Sequence, residues 1–87
     1  MATQEFRAEV RVTPREGLLD PQGKAVFGAL HSLEFGEVDD VRIGRLIRVK
    51  LHAATPQEAE RRIEAMCKQL LANPVIEDYT ITLESAP

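Results

Sequence analysis

The chain has 87 residues, 44% of them hydrophobic, with 11 basic residues against 14 acidic ones, a net charge of -3 and a single cysteine. That length has room for one domain, spanning 1–87, and its surface-to-volume ratio makes oligomerisation a useful source of further burial. A negative balance with signs alternating along the chain argues against nucleic acid as a partner, and a lone Cys67 excludes an intrachain disulfide.

Phe6, Ala8, Val10 and Val12 alternate with Arg7, Glu9 and Arg11, which predicts a half-buried strand ended by Pro14. Asp20-Pro21 then reads as a helix start, with the aspartate accepting from free backbone N–H groups and the proline losing no needed donor. Val26, Ala29, Leu30 and Leu33 give that helix one apolar face, and Phe35-Gly36 ends it. Val38, Val41 and Ile43 suggest a second strand. Gly44-Arg45 reads as a compact turn into a third strand carrying Ile47, Val49 and Leu51, so the pair is expected to form a hairpin. Thr55-Pro56-Gln57-Glu58 is a capping box at the start of a second helix, whose apolar face is Ala59, Ile63, Met66, Leu70 and Leu71. Asn73-Pro74 stops it, and Tyr79, Ile81 and Leu83 form a last strand before Glu84–Pro87 fray. The order is βαββαβ. The expected fold is therefore α+β, a ferredoxin-like (split βαβ) antiparallel sheet with two helices on one face.

Self-sufficient chemistry is hard to find. The stretch Gly17–Ala25 has five residues between its glycines and Ala25 after Lys24, so it lacks the spacing and the magnesium-binding hydroxyl of a phosphate-binding loop. Cys67 lies near an apolar helix face with no local cation to lower its pKa. Together with His31 and His52 it has no metal-ligand spacing. Asp39, Asp40, Glu77 and Asp78 read as solvated turn charges, because few aromatics are available to line a pocket around them. Arg45, Arg48 and Lys50 form a modest basic strip, but Arg7, Glu9, Arg48 and Lys50 on the open sheet face give no aromatic platform for stacking RNA bases. No catalytic residue and no metal site is assigned. The polar start Ala2-Thr3-Gln4-Glu5 lacks a signal peptide's basic and apolar regions. No apolar run approaches the roughly 20 residues that cross a bilayer. The expectation is a cytoplasmic chain that touches no membrane.

Two segments carry more. Leu19–Ala25 with Gly28–Leu33, and Met66–Tyr79, resemble the first-helix and C-terminal signatures of the PurS family, the small subunits of phosphoribosylformylglycinamidine synthase; Val41-Arg42-Ile43-Gly44-Arg45 resembles the hairpin between them. Family members often have glycine where Glu34 stands and lysine where Arg45 stands. The resemblance implies a non-catalytic subunit of an ATP-dependent carbon–nitrogen ligase in purine biosynthesis. It would be a homodimer or higher homo-oligomer, bridging a glutaminase subunit and a large synthetase subunit and supporting ammonia transfer between them. ATP and magnesium would serve the large subunit, and this chain would hold no cofactor. Asp20, Pro21, Gln22, Gly23 and Lys24, then Asn73, Pro74 and Val75, are the expected partner-facing residues; the local alternative is that they only start and stop helices. Two other readings remain open, an ACT-like module that senses a small molecule and an acylphosphatase-like hydrolase, for which Arg15 is a faint echo.

Overall fold

The structure, a computed structural model, describes residues 2–15 and 20–85. Its elements are β1 (Gln4–Pro14), α1 (Pro21–Ser32), β2 (Arg45–Ala53), α2 (Pro56–Met66), a π-helical turn (Cys67–Leu71) and β3 (Glu77–Ser85). Gly17, Leu18 and Leu19, which open the loop compared above with a phosphate-binding motif, lie outside the described residues.

β1 is the central strand of a three-stranded antiparallel sheet of order β2-β1-β3. The alternation read from the sequence places Phe6, Ala8, Val10 and Val12 on one face, all fully buried. Burying Phe6, Val10 and Val12 contributes about 1.5–3 kcal/mol each. Opposite them, in register, stand Ile47, Val49 and Leu51 on β2 and Tyr79, Ile81 and Leu83 on β3. Helix α2 covers this face with Ala59, Ile63 and Cys67. Thr55 caps it, its hydroxyl accepting from the Glu58 N–H at 3.1 Å, with Pro56 in the first turn. One helix is narrower than three strands. The core-facing side chains of both flanking strands consequently stay half-exposed while those of β1 are buried.

The α+β ferredoxin-like class is as expected, and three details differ. The second strand expected at Val38, Val41 and Ile43 is not paired into the sheet, and no turn occurs at Gly44-Arg45. Instead the chain runs from Val38 to Ala53 without a bend. The expected hairpin is replaced by a stretch without regular structure, residues 38–44, that leads directly into β2. Helix α1 does not share the sheet face with α2; it makes little packing against any strand and buries only Gly23. Finally, the second helix does not continue as α-helix to Asn73. The Ala72 N–H donates to the Cys67 carbonyl at 3.1 Å, the i→i+5 bond of a π turn. The widened turn rotates Leu70 off the apolar face on which α-helical spacing placed it, and Leu70 is 82% exposed.

α1 and the segment after it form an arm. The Asp20 carboxylate accepts from the Gly23 N–H at 3.0 Å, closing the first turn as expected. The helix ends at Ser32, earlier than the Phe35-Gly36 stop read from the sequence, in a Schellman arrangement: the Phe35 N–H donates to the Leu30 carbonyl at 3.0 Å and the Glu34 N–H to the His31 carbonyl at 3.1 Å. That geometry puts Glu34 at φ 74°. A side chain there is strained, because its Cβ crowds the backbone at positive φ where glycine has none. The return path is held by His31, whose Nε2 lies 2.8 Å from the Val38 carbonyl oxygen. Glu34→Gly should relieve the strain and stabilise the arm by up to about 1 kcal/mol, seen as slower amide hydrogen exchange across α1 with unchanged exchange in β1.

Candidate docking surface at the junction of three motifs

The segments that carry the family resemblance are far apart in sequence and meet at one corner of the molecule. Asp20 holds the first contact. Besides capping Gly23, its second carboxylate oxygen accepts from the Ile43 N–H at 2.9 Å, tying the helix start to the returning chain. These two backbone donors, Gly23 first, hold the Asp20 carboxyl below its usual range. Gly23 sits where a Cβ would stand 2.3 Å from the aspartate oxygen and 2.4 Å from the Val41 carbonyl, so only glycine permits this approach. Gly44 is equally constrained, since a Cβ there would stand 2.1 Å from the Val12 carbonyl at the end of β1's pairing with β2.

Arg45 makes the second contact. Its guanidinium grips Glu77 with both carboxylate oxygens, at 2.8 and 3.1 Å, and also donates to the Leu71 carbonyl at 2.7 Å. Glu77 in turn accepts from the Asn73 N–H at 2.8 Å. The sequence reading of Glu77 as a solvated turn charge needs correcting: its side chain is only 16% exposed and fully engaged. Arg45 first, and then the Asn73 N–H, hold the Glu77 carboxyl below its ordinary value of 4.5. Asn73 folds the chain back on itself. Its side-chain oxygen accepts from the Val75 N–H at 3.0 Å and its carbonyl from the Glu77 N–H at 2.8 Å.

Arg15 closes the corner from β1. Its N–H donates to the Ile76 carbonyl at 3.0 Å, its guanidinium to the Pro74 carbonyl, and it pairs with Asp78 at 3.4 Å. The one arginine that echoed an acyl-phosphate cradle is thus spent on the 74–78 turn. Neither Arg15 nor Glu77 was among the expected site residues. Their signal was the presence of opposite charges in separate motif segments, which spacing alone cannot pair.

The expected partner-facing residues divide into two kinds. Asp20 and Gly23 are turned inward, engaged at the helix start and with the 41–43 segment. Pro21, Gln22 and Lys24 lie exposed on the first turn of α1, and Asn73, Pro74 and Val75 lie exposed on the turn that Arg45 and Arg15 brace. Around that turn Leu70, Val75 and Ile76 present apolar side chains, with Val75 75% exposed. The corner is a braced surface rather than a cleft.

The other candidate groups are not gathered. Cys67 is buried in the core, and that burial, followed by the Glu64 charge, pushes its thiol up from 9.0. His31 stacks on Phe27 with ring centroids 4.4 Å apart, and His52 is exposed at the far end of β2. Among the described residues no group of three or more His, Cys, Asp or Glu could hold a metal ion. On the open sheet face Arg48 is paired with Glu9 at 3.3 Å, in a shallow charged depression that Arg7, Lys50 and Glu84 also line. No described helix is long and apolar enough to cross a membrane.

Glu77 sets a pH dependence whose sign follows from its depressed pKa. The pairing stabilises the fold above the ordinary carboxylate value and is lost as pH falls through the lowered folded-state value. Arg45→Met should cost about 1–2 kcal/mol at pH 7. Thermal melts should show the gap between variant and parent closing as the solution is taken well below pH 4.5.

Comparison with known proteins agrees with the motif reading. The family model for PurS, described as phosphoribosylformylglycinamidine (FGAM) synthase, matches residues 7–85. The phosphoribosylformylglycinamidine synthase subunit PurS of Bacillus subtilis is 42% identical over 91% of this chain and 93% of its own length. A solved structure of B. subtilis PurS superposes with a TM-score of 0.79 at 42% identity, covering 91% of this chain and 98% of that one. A chain in the structure of PurLQS from Thermotoga maritima superposes with a TM-score of 0.83 at 26% identity, over 92% of this chain and 98% of that one. With its motifs joined at one corner and its sequence and fold matched over about nine-tenths of its length, the chain belongs to the PurS family.

Proposed function

We propose that this chain is the small, non-catalytic subunit of phosphoribosylformylglycinamidine synthase in purine biosynthesis, and that it bridges the glutaminase and ATP-dependent synthetase subunits. The observation that carries the reading is the family match across residues 7–85, together with the likeness to a chain of the PurLQS structure. In such an enzyme glutamine hydrolysis releases ammonia in one subunit. The large subunit uses ATP and magnesium to activate the amide oxygen of the formylglycinamide, which ammonia then displaces. The present chain takes no part in either bond change; its contribution is to hold the two active sites in an arrangement through which ammonia passes without escaping to water. This favours the bridging subunit over a small-molecule-sensing module.

The first turn of α1 and the 73–75 turn are the surfaces we assign to docking. Both are exposed, and both are held rigid from behind, by Asp20 in one case and by Arg15, Arg45 and Glu77 in the other. Rigidity matters because a docking surface that is already ordered loses less entropy on binding. Lys24 supplies a cation and Leu70, Val75 and Ile76 supply apolar contact.

The test is reconstitution. Purified glutaminase and synthetase subunits should form product from glutamine only when this chain is added, while free ammonia should support the reaction without it. Glutamine-dependent turnover that ignores the chain would remove the bridging role. Lys24→Glu should weaken binding to the large subunit by about tenfold or more, read by calorimetry, and leave the melting temperature of the chain unchanged because Lys24 is exposed. Unaltered affinity would clear the first turn of α1 of any docking role.

A further inference from the structure

We propose that Asp20 is a positioning residue for both docking turns: its two carboxylate oxygens couple the first turn of α1 to the 73–75 turn, so that ordering either one orders the other. The consequence for assembly rests on the bridging role; the coupling itself is a property of this chain alone.

A short route of bonds carries the argument. One oxygen of Asp20 accepts from the Gly23 N–H at 3.0 Å, inside the first turn of α1, and the other from the Ile43 N–H at 2.9 Å, 23 residues on. Just beyond Ile43, Arg45 holds the Glu77 carboxylate at 2.8 and 3.1 Å and the Leu71 carbonyl at 2.7 Å. Glu77 accepts from the Asn73 N–H at 2.8 Å, and the Asn73 side chain shapes the turn through the Val75 N–H. The links Asp20 to Ile43, Arg45 to Glu77 and Glu77 to Asn73 thus join two turns that are far apart in sequence.

The route has little slack. Between its first two links Gly44 lies against β1, where a Cβ would stand 2.1 Å from the Val12 carbonyl oxygen and 3.0 Å from the Thr13 methyl. Arg45 is paired with Val12 in the β1–β2 ladder, and Gly23 lies equally tight on the Val41 carbonyl. Close-packed backbone does not deform continuously, so a displacement of Ile43 is passed to Arg45 instead of being absorbed.

A helix start needs only one acceptor, which serine, threonine or asparagine supplies as well as aspartate. The second oxygen of Asp20 is surplus to the cap, and its partner lies outside the helix. Arg15 provides a contrast within the same molecule. It braces the 74–78 turn from β1, through the Pro74 and Ile76 carbonyls and Asp78, and among the described residues it makes no bond to the 41–45 segment. One turn therefore has two braces, of which only the Arg45 brace connects to α1. For assembly the effect is cooperative: a partner that orders the 73–75 turn leaves less freedom to be lost at the first turn of α1. A second partner then binds there more tightly, and linkage makes the gain equal in both directions.

Amide hydrogen exchange of the full chain, resolved by residue in NMR, tests the coupling. Asp20→Asn keeps one acceptor oxygen for Gly23 but puts an NH2 donor in place of the other, which cannot take the Ile43 N–H. Asp20→Ser also caps and is too short to reach both partners. Either variant should speed exchange of the Asn73 and Glu77 amides by about threefold or more, relative to Val10 at the centre of the sheet. Reciprocally, Arg45→Met should speed exchange at Ile43 and Gly23, whereas Arg15→Gln should leave those two amides unchanged. Asp20→Asn added to Arg45→Met should bring no further change at Asn73, because the route is already cut. Parent-like exchange at Asn73 and Glu77 in the Asp20 variants, additive effects in the double variant, or an equal acceleration at Val10 would overturn the coupling. Where an Asp20 variant does not fold, Arg45→Met read at Gly23 and Ile43 decides alone. Failure of the docking reading shows elsewhere, as unaltered affinity of Lys24→Glu for the large subunit.

Discussion

The path of the chain through Ile43, Gly44 and Arg45 is the constraint on which the rest of this structure depends. Asp20 takes the Ile43 N–H from one side, Glu77 takes the Arg45 guanidinium from the other, and Gly44 lets the backbone lie against the Val12 carbonyl between them. Each contact alone is modest. Together they set three things at once: where α1 starts, where β2 enters the sheet and how the turn before β3 is closed. With no turn at this corner, α1 packs little against the sheet; a turn would have brought residues 38–43 back beside β2.

The consequence is an unequal pair of helices. α2 is a core helix in the ordinary sense, with Ala59, Ile63 and Cys67 buried against the even-numbered residues of β1. α1 is held at its ends, by Asp20 at the start and by the Schellman bonds and the His31–Val38 contact at the finish, while its side chains look outward. A small domain that uses one helix for its core and extends the other has placed part of its burial in whatever it associates with. Self-association and docking to larger subunits both draw on that reserve, and the exposed apolar groups sit in two separate places, at the tip of the arm and around the 73–75 turn.

The same corner gives the proposed bridging role a physical basis. Among the described residues, the polar contacts of this corner are spent on bracing two exposed turns. Arg45 and Glu77 would be unremarkable as a surface ion pair; here each also serves a backbone group, Leu71 in one case and Asn73 in the other, so the pair orders the turn rather than merely decorating it. Tyr79 adds a further tie along β3, donating to Glu64 of α2 at 2.6 Å, a bond that raises its phenol to about 12. Rigid surfaces of this kind position other proteins.

Much of this was legible in the residues themselves. Period-2 alternation identified β1 and the core half of β2 and β3, because a strand that faces one core must alternate. Asp20-Pro21 and Thr55-Pro56 marked both helix starts, because capping is local chemistry between residues three apart. The motif segments carried the family, since side-chain identity at fixed spacing survives without knowledge of the fold. What the sequence could not determine is everything that depends on which distant groups meet. Gly44-Arg45 has the composition of a turn, and distant groups keep it open: Asp20 on Ile43, Val12 against Gly44, and Glu77, 32 residues on, holding Arg45. Leu70 has the spacing of a core residue, and only the i→i+5 bond from Ala72 to Cys67 turns it out. Asp20 reads as a cap, yet its second oxygen reaches Ile43, 23 residues away. Local spacing determines caps, faces and periodicity, because those energies arise within a turn or a strand; the tertiary structure alone decides which distant groups meet.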